Sequence, residues 1–131
     1  MPIPSESIVW LTIKEVETQH RLLQYALDHS IQPDNLADHR ALASFTARAL
    51  PDFGCTQTDD GWEIPEGRET AEIMMGLDSS CARSVRMLWA ELAGDPATAV
   101  DAATVGRAYR ESIARERAKF GPADPGPDLT L

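Results

Sequence analysis

Glu17 and His20 stand three residues apart, the spacing that puts a carboxylate and an imidazole on one face of a helix. Di-iron carboxylate bundles use this Glu-x-x-His arrangement, but they need a second such pair and further carboxylates on facing helices. The chain contains no second pair. His20 also falls in register with an apolar stripe. The simpler reading is therefore a core or groove histidine whose ring nitrogens are hydrogen-bonded. His29 and His39 flank the junction between the first two predicted helices and read as surface residues.

Two cysteines, Cys55 and Cys81, lie 26 positions apart with no Cys-x-x-Cys or Cys-x-x-His spacing, which argues against a zinc site. Both read as free thiols in a reducing compartment. Cys81 sits on an apolar stripe and is expected to be buried. Cys55, in an irregular segment, is expected to be more exposed. A thiol nucleophile needs a neighbouring base, and the sequence names none. Nucleophile-elbow, Walker A, dinucleotide-binding and His-Glu-x-x-His patterns are missing, and Gly54, Gly61 and Gly67 are too scattered to form a phosphate loop. No cofactor is called for.

Charge is the more informative pattern. Eight acids lie between Asp52 and Asp78, and Arg68 is the only base among them, a local net of −7. Acids at a loop and helix start also suit solvent and the helix dipole. Trp62 stands in their midst, and an aromatic residue amid charge can anchor an interface. The candidate partner-binding residues are Asp59, Asp60, Trp62, Glu63, Glu66 and Glu69. The last predicted helix is mildly basic, with Arg107, Arg110, Arg115, Arg117 and Lys119 against Glu111 and Glu116. Cations near a helix C-terminus stabilise it. They could also meet the acidic segment of a second copy, giving a homo-oligomer.

These residues must be positioned by helices. Val9, Ile13, Val16, His20, Leu23 and Leu27 recur at spacings of four and three, which predicts a helix over residues 5–29 capped by Ser5 or Ser7. The run from Ile8 to Leu11 also has strand character, but the longer pattern favours helix. Asp34 or Asp38 would cap a second helix carrying Leu42, Phe45 and Ala49, stopped by Pro51. Asp60-Gly61, flanked by Thr56-Gln57-Thr58 and Trp62-Glu63-Ile64, signals a hairpin. It is expected to rest on the helices through Phe53, Trp62 or Ile64, or to remain a loop.

Helical spacing returns with Met74, Leu77, Cys81, Val85, Leu88 and Leu92, predicting one kinked helix or two over residues 67–93, with a break near 78. Asp95-Pro96 starts a final helix bearing Ala102, Val105, Tyr109, Ile113 and Phe120, and Gly121-Pro122 ends it. The expected fold is all-α: a compact bundle of four to five helices with a short irregular or β-hairpin insert near residues 52–66. Residues 1–121 would form one domain and 122–131 an extended tail.

The 131 residues carry 12 Lys and Arg against 21 Asp and Glu, a net charge of −9. That excludes a simple nucleic-acid binder, since phosphate neutralisation needs a basic surface. Arginine outnumbers lysine ten to two and alanine is abundant, a bias of GC-rich bacterial or phage genomes. No positive charge precedes a long apolar run, and no stretch approaches the ~20 apolar residues of a membrane span, so a soluble, cytoplasmic chain is expected. The leading expectation is a non-catalytic interaction module, meaning a small acidic adaptor, inhibitor, immunity or assembly factor. It would bind a basic protein surface through the 52–78 region, without direct nucleic-acid or membrane contact. The alternatives are a metal- or cofactor-binding helical enzyme using Glu17 and His20, and a DNA-binding regulator with a helix-turn-helix near residues 34–50.

Overall fold

Thr12 divides two structures that the apolar pattern runs together. Its hydroxyl accepts the Glu15 N–H at 3.2 Å, and the Glu15 carboxylate accepts the Thr12 N–H at 2.8 Å. This reciprocal cap starts a helix. The computed structural model describes residues 8–120. Before the cap lies strand β1 (Ile8–Thr12), and after it helix α1 (Ile13–Asp28). A 3-10 turn (Pro33–Asn35) leads into α2 (Leu36–Asp52). Strands β2 (Thr56–Thr58) and β3 (Gly61–Glu63) form a hairpin. Strand β4 (Glu72–Gly76), α3 (Ser79–Leu92) and α4 (Ala99–Phe120) complete the order.

The all-α expectation is wrong. The described chain has four helices and two small antiparallel sheets, β1 with β4 and β2 with β3. In the first sheet Val9 pairs with Met75 and Leu11 with Ile73, and these four side chains are buried while their neighbours in sequence face outward. This is the period-two burial of a strand with one face on the core. Helix was predicted here because Val9, Ile13 and Val16 keep helical spacing across the cap. Met74, Leu77 and Cys81 do the same across Asp78. Met74 is in fact 54% exposed, whereas Met75 is buried. The break expected near 78 is a strand-to-helix junction, where the Asp78 carboxylate accepts the Cys81 N–H at 2.8 Å and caps α3.

Other boundaries move too. Neither Asp34 nor Asp38 caps α2; the N-cap is Asn35, without a side-chain bond. Asp38 instead accepts the hydroxyls of Ser84 at 2.7 Å and Ser80 at 3.3 Å, tying α2 to α3. Pro51 sits inside the last turn of α2 rather than ending it. Helix α4 begins at Ala99, after a turn in which Asp95 accepts the Ala97 N–H. The expected caps Ser5 and Ser7, the stop at Gly121-Pro122 and the 122–131 tail lie outside the described residues.

Helix α4 packs on α1, α3 and β1. The Trp10 N–H on the open side of β1 donates to Ser112 Oγ at 2.8 Å, so this edge is covered by a helix. Deeper in, the Tyr109 hydroxyl donates to the Gln19 amide oxygen, and Gln19 Nε2 contacts Met75 Sδ at 3.5 Å. The Tyr109 ring meets Trp89 edge-on at 5.8 Å. These polar contacts lock α1, α4 and β4 into one register around the apolar core.

Candidate functional site

The acidic hairpin forms, and one glycine decides how it lies. Thr56 pairs with Glu63, Gln57 with Trp62 and Thr58 with Gly61, leaving Asp59 and Asp60 at the turn. Gly61 has φ +147°, and a Cβ there would stand 2.7 Å from Glu17 Oε2 and 3.2 Å from Arg21 Cδ. Only a residue without a side chain lets the hairpin press so closely on α1. Phe53, Trp62 and Ile64 pack half-buried against the core from this side.

Between the hairpin and α1 opens a cleft of about 490 Å³, within the usual range for ligand pockets. One wall is His20, Arg21, Gln24, Tyr25 and Asp28 of α1; the other runs from Gln57 to Trp62. Its charged groups are three carboxylates, Asp28, Asp59 and Asp60, against the single guanidinium of Arg21. Arg21 is already engaged: Nε bonds both Glu17 oxygens at 2.9–3.0 Å, and Nη1 reaches Asp101 at 3.2 Å. At the far end the Tyr25 hydroxyl donates to Asp95 at 2.8 Å, and its ring stacks on His29 at 4.2 Å.

His20 lines the same cleft. It is 6% exposed, and Trp62 meets its ring edge-on at 6.2 Å. Nδ1 lies 2.8 Å from Thr46 Oγ1, whose hydroxyl donates to the Ala43 carbonyl at 2.9 Å. A hydroxyl has one proton, so Thr46 accepts from His20 and Nδ1 carries the hydrogen. Burial holds the ring below its ordinary 6.5 and therefore neutral at pH 7. The lone pair then sits on Nε2, which has no hydrogen-bond partner among the described residues and is not sealed off from solvent. His20 is a buried histidine, as expected, but only one of its nitrogens has a partner among the described residues.

The expected partner-binding residues divide into three kinds. Asp59, Asp60, Glu63 and Glu66 are exposed and make no ion pair among the described residues. Glu69 is half-buried and folds back to accept the Gly67 N–H at 3.1 Å. Trp62 does not protrude as an anchor: its indole nitrogen is buried and its ring packs inward on His20. The basic helix is partly neutralised, with Arg115 on Glu72 at 3.6 Å and Lys119 on Glu116 at 3.4 Å.

Two expectations about reactive groups are overturned. His39 is not a surface residue but 0% exposed, on the α2 face turned to α3, and burial lowers its pKa. Cys55 is buried like Cys81. Burial raises both thiols, Cys81 to about 11, with carboxylates adding to the effect. Such thiols are poor nucleophiles.

Among the described residues no three His, Cys, Asp or Glu side chains gather as a metal ion would require. Glu17 is committed to Arg21 rather than shared with His20. No described helix is long and apolar enough to cross a membrane. The sequence reading missed Thr46, Tyr25 and Asp28. Arg21, Tyr25 and Asp28 were visible as a polar row at four- and three-residue spacing, whereas nothing linked Thr46 to His20. Compared with known protein families, curated proteins and solved structures, the chain has no match.

Proposed function

We propose that this chain is a non-catalytic interaction module that binds a basic protein surface through the hairpin and the segment after it. One observation carries the reading: Asp59, Asp60, Glu63 and Glu66 are all exposed along one short stretch of chain, and none makes an ion pair among the described residues. Unpaired like charges repel, and a complementary surface relieves that repulsion while speeding association. The hairpin offers them on a firm base, since Gly61 and Trp62 seat it on α1. Burial raises both thiols, which makes them poor nucleophiles and favours binding over thiol catalysis.

Paired capture experiments test this reading. The wild-type chain and a variant with Asp59→Asn, Asp60→Asn, Glu63→Gln and Glu66→Gln are used as baits in the same lysate. The proteins lost with the variant should be basic and should elute from the wild type with salt. An unchanged set of captured proteins would refute the acidic face.

A further inference from the structure

Resting on that acidic face and sharpening it, we propose that the cleft between α1 and the β2–β3 hairpin receives a guanidinium group, an arginine side chain presented by the partner. His20, a residue 6% exposed, lines this cleft, and its Nε2 has no hydrogen-bond partner among the described residues. Thr46 fixes the ring so that this nitrogen offers a lone pair rather than a proton. An imidazole nitrogen that carries a lone pair and is not sealed from solvent can accept a ligand N–H.

The remaining lining selects the donor. Asp28, Asp59 and Asp60 favour a cation and repel phosphate or carboxylate. Arg21 does not supply that cation from within, because Glu17 and Asp101 hold its guanidinium. Gln24, Gln57 and Thr58 add neutral acceptors around the walls. Several acceptors spread about one slot suit the five-donor fork of arginine better than the compact ammonium of lysine. Tyr25 and Trp62 line the same space and add aromatic surface for a weakly hydrated planar cation.

The test is a nuclear magnetic resonance titration of ¹⁵N-labelled full-length chain, following the His20 ring nitrogens and the Gly61 and Trp62 amides. The probes are N-acetyl-arginine amide, its lysine counterpart and the uncharged citrulline counterpart, at constant ionic strength. Arginine should shift His20 Nε2 saturably, with lysine and citrulline about tenfold weaker. Asp59→Asn with Asp60→Asn, both at an exposed turn, should weaken arginine binding about tenfold with the spectrum otherwise preserved. His20→Gln should remove saturation at the Gly61 and Trp62 amides.

Equal shifts with citrulline, or saturation unchanged in His20→Gln, would overturn the cleft proposal. An arginine- and serine-containing basic peptide separates the two levels. If it shifts Asp59 to Glu66 but leaves the His20 ring unmoved, the cleft proposal is overturned and the acidic face stands. If it shifts neither, both are overturned.

Discussion

His20 donates its Nδ1 proton to Thr46, because the Thr46 hydroxyl donates its own to the Ala43 carbonyl. This orients the neutral ring across the α1–α2 contact and leaves the lone pair on Nε2. Thr46→Val keeps the shape and removes the acceptor. It should cost about 1–3 kcal/mol in urea unfolding, the usual penalty for stranding a buried donor. In the wild type, ring ¹⁵N shifts should identify Nε2 as the unprotonated nitrogen at pH 7.5. A protonated Nε2 would contradict the assignment.

Stability should also depend on pH. Burial lowers both His20 and His39 from 6.5, opposed at His39 first by the Asp38 charge and then by the Ser84 backbone and Glu91. The unfolded chain therefore takes up protons that the folded chain refuses. The stabilisation is fully present above pH 6.5 and is lost as pH falls through 6.5 towards the lowered folded values. Urea midpoints should drop between pH 7.5 and 5.5, and His39→Gln should flatten that drop. Identical pH profiles for the variant and wild type would show that His39 is not the sensor.

Gly61→Ala should loosen the hairpin, since the new Cβ would meet the Glu17–Arg21 pair at 2.7–3.2 Å in a backbone region that L residues avoid. The expected loss is about 1–3 kcal/mol, and the Trp62 indole resonance should move towards that of a solvated ring. Full stability with an unchanged Trp62 resonance would mean that the hairpin is seated some other way.

Both thiols should resist iodoacetamide at pH 8 in the folded protein and react once it is unfolded, as followed by intact mass. Rapid native labelling of Cys55 would contradict its burial.

The sequence was legible where an element is long and its pattern uninterrupted. The buried faces of α1, α3 and α4 include Val16, Leu23, Val85, Leu88, Val105 and Tyr109, as the helical spacing predicted. It misled where a short strand ran straight into a helix. Leu11 and Ile13 are both buried, one on a strand and one on a helix, and only the Thr12–Glu15 cap separates them. Ile73, Met75 and Leu77 carried a period-two signal beside Gly76, but the helical spacing of Met74, Leu77 and Cys81 masked it. The hairpin was legible because Asp60-Gly61 is a strong local turn signal. The cleft was not, because its walls come from residues 20–28 and 57–62, which meet only through tertiary packing.

The central claim is that the exposed carboxylates of the hairpin region dock a basic surface. It is tested most directly with a captured partner, by measuring its dissociation constant for the wild-type chain and for the four-site neutral variant at about 50 and about 300 mM salt. The wild type should bind at least about tenfold more weakly at the higher salt, and the variant should bind weakly at both with little salt dependence. Equal affinities for the two chains, with parallel salt dependence, would contradict the claim.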